Sequence, residues 1–225
     1  VIALPVAVDP TARLQVIHNA ADPAAAMVDV YLNGSMLLDD FAFRAATPFV
    51  DVPAGVQLSI GVAPGNSTGP SDIIATFTPT LDDGKTYIAV ANGVLNPANF
   101  ATNPDMKDIA FTLFAADDGR ETGMDANQVD LKVLHGATDA PAVDVIARGV
   151  ATLVDNAAYG DMTPYFSVPA GTYTLDITPA NDNTTVVASF SADLSGLGGG
   201  AAVVFASGFL SPMDNQNGMA FGLFA

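Results

Sequence analysis

The fold is decided by residues 131–141, Leu-Lys-Val-Leu-His-Gly-Ala-Thr-Asp-Ala-Pro, because residues 14–23, Leu-Gln-Val-Ile-His-Asn-Ala-Ala-Asp-Pro, nearly repeat them. Other stretches recur in the same order, such as Val-Asp-Val at 28–30 and 143–145. The period is roughly 115 residues, whereas solenoid repeats run at roughly 20–50. The chain of 225 residues is therefore predicted to contain two tandem copies of one domain.

Short strands separated by turn signals fill both copies. Asn33-Gly34 follows an apolar run and is a strong hairpin signal, and Pro53-Ala54-Gly55 is typical of a turn. Residues 56–62 alternate between apolar and other residues, as a strand with one buried face does. Such short strands at close spacing favour sandwiches. We predict an all-β fold of two tandem antiparallel, immunoglobulin-like β-sandwich domains.

The repeat also predicts where the domains begin and end. An apolar strand at residues 1–10 has no counterpart before the second copy. The first sandwich is expected at residues 11–116 and the second at residues 129–225, with a polar, acidic linker at residues 117–128 between them. A linker this short predicts that the two domains touch.

Composition excludes several classes of protein. The net charge is −17, from 24 acidic against 7 basic residues, which argues against nucleic acid and anionic membrane surfaces as partners. No cysteine is present, so disulfides and thiolate sites are excluded. No apolar run is long enough to predict a membrane span. Charged residues make up 14%, against about 25% in typical domains. Either small polar residues cover the surface or an assembly hides part of it.

The N-terminal strand has two interpretations. It could form an edge of the first sandwich, where a proline is tolerated because it need not donate to a ladder. It could instead be donated to the sheet of a neighbouring molecule. In the second case its apolar side chains form a subunit interface, and these are Val1, Ile2, Ala3, Leu4, Val6 and Val8.

The two histidines and their following aspartates form a repeated motif. Histidine and aspartate are common in metal and general-base sites. One histidine per domain is too few for a zinc site, and a structural role is favoured, in which each imidazole bonds a loop backbone and an aspartate orders the turn before proline. The motif residues are His18, Asp22 and Asp29 in the first copy and His135, Asp139 and Asp144 in the second.

The densest group of acids lies in the linker. Oxygen ligands on a loop suit calcium, although the spacing does not match an EF-hand. The predicted calcium ligands are Asp117, Asp118, Glu121 and Asp125. No other cofactor is expected.

The second copy resembles the bacterial and archaeal domain-of-unknown-function family 4397. The resemblance rests on residues 135–145, His-Gly-Ala-Thr-Asp-Ala-Pro-Ala-Val-Asp-Val, and on residues 168–173, Val-Pro-Ala-Gly-Thr-Tyr. The first copy departs from the pattern with extra alanines after Pro23 and with Val56-Gln57 in place of Thr-Tyr. The resemblance implies secreted or cell-surface sandwich domains and brings no catalytic residues.

We therefore expect an extracellular or cell-surface protein that is not an enzyme. Our first hypothesis is a subunit of a filament, matrix or surface layer, in which the N-terminal strand adds to a neighbouring copy of the same chain. The second is a binding or adhesion module for a glycan or protein ligand, assisted by calcium. An aspartate-based hydrolase is a third hypothesis, which nothing in the spacing of the acids favours.

Overall fold

Strands dominate residues 9–225, which are the residues that the computed structural model describes. The predicted N-terminal interface residues 1–8 lie outside this range. The strands of the first copy are β1 (Thr11–His18), β2 (Met27–Leu32), β3 (Ser35–Ala42), β4 (Val50–Pro53), β5 (Ile60–Pro64), β6 (Ala75–Phe77), β7 (Thr86–Asn92) and β8 (Thr112–Ala116). Those of the second copy are β9 (Gln128–His135), β10 (Val143–Ala147), β11 (Ala151–Ala157), β12 (Phe166–Pro169), β13 (Thr172–Pro179), β14 (Ala188–Asp193), β15 (Ala201–Ser207) and β16 (Gly222–Phe224).

Helical structure in this part of the chain is limited to three-residue 3-10 turns. Each begins at a proline, which suits a first helical position because that N–H needs no partner there. The turns are Pro23–Ala25, Pro70–Asp72, Pro97–Asn99 and Pro212–Asp214. Within residues 9–225, no helix has the length and apolar character needed to cross a membrane.

Each copy folds into two four-stranded sheets with the same strand order. The sheets of the first copy are β4-β1-β7-β8 and β3-β2-β5-β6, and those of the second are β12-β9-β15-β16 and β11-β10-β13-β14. One strand pair per copy is parallel, β1 with β7 and β9 with β15, and the other strand pairs in the described residues are antiparallel. The predicted all-β fold of two tandem sandwiches is confirmed.

The hairpin between β2 and β3 forms where the sequence predicts it. Asn33 and Gly34 both have positive φ, 51° and 80°, as a type I′ turn requires. In the second copy, Gly149 with φ of 72° lies at the same turn between β10 and β11.

The two sandwiches pack against each other through the sheets that contain β1 and β9. Ile17, Ile88 and Val90 of the first copy form one buried cluster with Leu134 and Phe205 of the second. These two sheets are therefore covered on both faces. This explains why β7 and β15 are apolar almost throughout, whereas β14 on the outside alternates between half-buried and exposed residues.

Candidate functional site

The first histidine of the repeated motif lies buried at the end of β1. The His18 Nε2–H donates to the Ala25 carbonyl oxygen at 2.7 Å, and the backbone N–H of Ala20 donates to His18 Nδ1 at 3.4 Å. Burial lowers the pKa of His18, so that the imidazole stays neutral at pH 7. Both ring nitrogens are bonded to the loop that follows the strand.

The second histidine occupies the same place with one bond fewer. The His135 Nε2–H donates to the Pro141 carbonyl oxygen at 3.0 Å, and Nδ1 has no hydrogen-bond partner within residues 9–225. Burial lowers the pKa of His135 as well. Neither imidazole bonds a carboxylate within residues 9–225, and each ring ties the end of its strand to the loop that follows.

The first aspartate of each motif fixes a distant loop. The Asp22 carboxylate accepts hydrogen bonds from the backbone N–H groups of Ala24 and Leu95, each at 2.9 Å. The Asp139 carboxylate accepts from the backbone N–H groups of Leu210 and Ser211, also at 2.9 Å. In both copies a carboxylate therefore positions a leucine in the loop that follows β7 or β15.

The second aspartate of each motif stabilises a bend in an edge strand. The Asp29 carboxylate accepts from the backbone N–H of Asp40, and the Asp144 carboxylate accepts from the backbone N–H of Asn156. Asp40 and Asn156 have positive φ, 51° and 53°, at register shifts in β3 and β11. These carboxylates thus satisfy backbone groups that the bulges expose.

The acidic residues of the linker lie beside different cationic groups. Asp117 pairs with Lys85 at 3.1 Å, Asp118 with Lys132 at 3.0 Å, and Glu121 with Arg13 at 2.7 Å. The Asp125 carboxylate accepts a bond from the backbone N–H of Asn127 at 2.8 Å. No group of three or more metal-ligating side chains occurs within residues 9–225. Calcium binding at the linker stays a prediction.

An ion pair with a buried carboxylate anchors the linker to the second sandwich. Asp130, fully buried, accepts from the Ser167 hydroxyl at 2.6 Å and from Arg120 Nη1 at 2.5 Å. The Ser167 hydroxyl and the Arg120 guanidinium lower the pKa of Asp130. Arg120 also lies over the ring of Tyr165, 4.7 Å from its centroid.

Two asparagines of the first copy enter the interface with the second. Asn19 Nδ2 donates to Asn92 Oδ1 at 2.8 Å and to the Ala206 carbonyl oxygen at 3.1 Å. Asn92 Nδ2 donates to the Gly136 carbonyl oxygen at 3.1 Å and to the Tyr159 hydroxyl at 3.0 Å. A Cβ atom on Gly136 would lie 2.2 Å from Asn19 Nδ2. The asparagine in one copy therefore requires the glycine at the matching place in the other.

The second sandwich contains an apolar cavity of about 80 Å³ between its two sheets. In the first sandwich the matching space measures about 20 Å³. The cavity lining includes Val133, His135, Val143, Val145, Val154, Ala157, Ile177, Val187, Leu210, Phe221 and Leu223.

One matched position in the two spaces differs strongly in side-chain size. Phe41 pairs with Val28 across β2 and β3, and Ala157 pairs with Val143 across β10 and β11. The Phe41 ring lies in the first copy's space, 5.9 Å from the ring of His18. The alanine leaves that volume empty in the second copy. The size difference between Phe41 and Ala157 can be read from the sequence, because the two residues align in the repeat. That both side chains point into the space between the sheets is known only from the structure.

Comparison with known proteins gives a family and two distant structural likenesses. The family model described as Domain of unknown function (DUF4397) matches residues 12–145 and residues 129–216. No curated protein matches the chain.

Among solved structures, the chain is similar to "The Bacillus anthracis TIE protein" at 12% identity and a TM-score of 0.23, covering 95% of this chain and 34% of that one. It is also similar to a family CBM26 module from Eubacterium rectale Amy13K in complex with maltoheptaose, at 7% identity and a TM-score of 0.25, covering 95% and 96% of the two chains. At these scores neither likeness carries an argument about function.

Proposed function

The chain belongs to the family of domains of unknown function DUF4397, whose model matches both of its copies, and we propose that it is a non-catalytic structural protein of the extracellular space or cell surface. In this role it is a subunit of a filament, matrix or surface layer. The acidic, cysteine-free composition is compatible with that location. The bonds from both histidines to loop carbonyl oxygens support a structural role for the motif.

The observation that carries this proposal is that the two sandwiches pack together as one unit. An apolar cluster and the asparagine network cross between the copies, and the ion pair of Glu121 with Arg13 ties the linker to the first sandwich. Arg44 adds a further tie, because its guanidinium donates to the Ala220 carbonyl oxygen at 2.7 Å and lies 3.9 Å from the centroid of the Phe224 ring. A unit held in this way suits an assembly, since its ends keep a fixed relative orientation.

We further propose that residues 1–8 of one subunit add as a strand to β14 of the next. Bulges protect the outer edges β3 and β11, and β6 has only three residues. β14 is a six-residue edge with unbroken register and without lysine or proline, the residues that commonly block edge pairing. Its free edge can accept an apolar, uncharged strand through backbone hydrogen bonds.

Electron microscopy and sedimentation of the purified full chain test this assembly. Deleting residues 1–8 should abolish polymers while the circular dichroism spectrum of the sandwiches is retained. A lysine on the accepting edge, Ser191→Lys, should have the same effect. The matched control is Ser35→Lys on the protected strand β3, which should still assemble. Polymers formed by the truncated chain would contradict the proposal.

The second candidate function is a binding module for a glycan or protein ligand, and the apolar cavity in the second sandwich favours binding of a small apolar part of such a ligand. This function predicts a monomer whose melting temperature rises with ligand. A calcium-assisted module should also show a rise with calcium alone. Asp125→Asn, which removes the one predicted calcium ligand outside the cationic pairs, should reduce that rise. No response to calcium would remove the ion from this proposal.

A further inference from the structure

We propose that the inter-sheet cavity of the second sandwich is a binding site for a small, uncharged apolar group no larger than a phenyl ring. This inference rests on the second candidate function, binding. It assigns the site and the chemical class of the ligand. The group would take the place that the Phe41 side chain occupies in the first sandwich.

The first sandwich shows what the site accommodates. The two spaces are lined by matching residues, such as His18 and His135 at the strand ends and Val30 and Val145 on the central strands. In one copy the protein supplies its own aromatic ring from β3, and in the other it supplies a methyl group from β11. The fold is therefore compatible with an apolar group at this position.

The chemistry of the walls selects an uncharged ligand. Aliphatic and aromatic side chains form most of the lining, and His135 contributes a ring that is neutral and whose Nε2–H is already bonded to Pro141. A charged group would lose its hydration there, and the aliphatic and aromatic walls supply no opposite charge to compensate for that loss. An apolar group instead leaves water and fills a void that lacks contacts.

The entrance is formed by two exposed apolar residues that backbone bonds hold in place. Val187 is 54% exposed and Leu210 is 40% exposed, and both line the cavity. The N–H of Val187 donates to the Ile177 carbonyl oxygen at 2.8 Å, and the N–H of Leu210 donates to the Asp139 carboxylate at 2.9 Å. The repeated motif thus frames this entrance, with Asp139 on one side and the His135–Pro141 bond on another. Fixed walls keep the space from collapsing.

Size sets the choice of probe. Engineered apolar cavities of about 150 Å³ stay dry and bind benzene or xenon. The cavity here is about 80 Å³, so xenon fits inside it, and a phenyl or branched alkyl group fits with part of its surface in the entrance.

Nuclear magnetic resonance of the full chain, with ¹³C-labelled methyl groups, tests the assignment. Xenon under pressure and benzene should give saturable shifts at the methyl groups of Val145, Val154 and Ile177, and smaller or no shifts at their counterparts in the first sandwich. Ala157→Phe should abolish the shifts. Ala157→Leu should weaken them, and provides the same test if the larger side chain impairs folding.

The matched control transfers the cavity to the other copy. Phe41→Ala should give new saturable shifts at Val28 and Val62 while the response of the second sandwich is retained. Absence of saturable shifts in the unmodified chain, or shifts that persist unchanged in Ala157→Phe and Ala157→Leu, would overturn the proposal. A chain that shows no saturable shifts with xenon or benzene, but whose melting temperature rises with a glycan, would still be a binding module. The failure of the cavity assignment is therefore distinguishable from the failure of the proposed binding function.

Discussion

The two sandwiches share one strand order and differ in how they fill their interiors and meet each other. The first copy fills its inter-sheet space with Phe41 and projects Asn19 across the interface. The second has Ala157 and Gly136 at the corresponding places. Ala157 leaves a cavity, and Gly136 leaves room for the Asn19 side chain. The copies are therefore complementary and not interchangeable, although their backbones follow the same plan.

The largest effect is expected when Phe41 of the first sandwich is replaced by the alanine that the second sandwich has at the matching position. Phe41→Ala should lower the free energy of unfolding by about 3 kcal/mol, at the low end for phenylalanine because the ring is only half-buried. Urea denaturation followed by circular dichroism measures the change. A loss below about 0.5 kcal/mol, the range of surface substitutions, would show that the ring does not stabilise the first sandwich.

The interface offers the next largest effect. Gly136→Ala should cost about 2 kcal/mol, because the new Cβ would lie 2.2 Å from Asn19 Nδ2 and 2.6 Å from the Ala206 carbonyl oxygen. The matched control is Gly171→Ala, where a Cβ would meet nothing within 4 Å. Equal stabilities of the two variants would mean that the asparagine does not need the glycine.

Lowering the pH should affect the stability of the two copies differently, because the second copy contains an ion pair at a position where the first does not. The Arg148 guanidinium and the Ser189 hydroxyl lower the pKa of Asp176 from 3.8 to about 2. The unfolded chain therefore binds this proton first, and the stabilisation present above about pH 4 is lost as pH falls toward 2. In the first copy, Gly61 lies at the matching place on β5.

Asp176→Asn should remove this part of the pH dependence between pH 4 and 2. Melting temperatures of both proteins across that range provide the measurement. Parallel curves for the variant and the unmodified chain would show that the ion pair contributes nothing to the acid response. The matched control is Asp155→Asn, at an exposed residue of the edge strand β11.

Local patterns in the sequence predict most of the fold and little of the site. Asn33-Gly34 identifies a hairpin because the turn needs positive φ at adjacent positions. The parallel pairing of β1 with β7 has no such local signal, since it joins strands far apart in the chain. The same holds for the linker, where the acids are evident but their partners Arg13 and Lys85 lie in the first copy.

The smallest effect is expected when the cavity of the second sandwich is filled by a larger side chain. Ala157→Leu places apolar volume into the cavity, and it should raise the free energy of unfolding by about 1 kcal/mol, because an unfilled cavity costs about 24 cal/mol per Å³ and part of the gain is lost to imperfect fit. Ala147→Leu is the control, since Ala147 is fully buried and does not line the cavity, and overpacking there should cost 1–3 kcal/mol, roughly. If Ala157→Leu and Ala147→Leu lower the free energy of unfolding equally, the second sandwich has no more usable space than the first. In that case relaxation of the sheets compensates for the difference in size between Phe41 and Ala157.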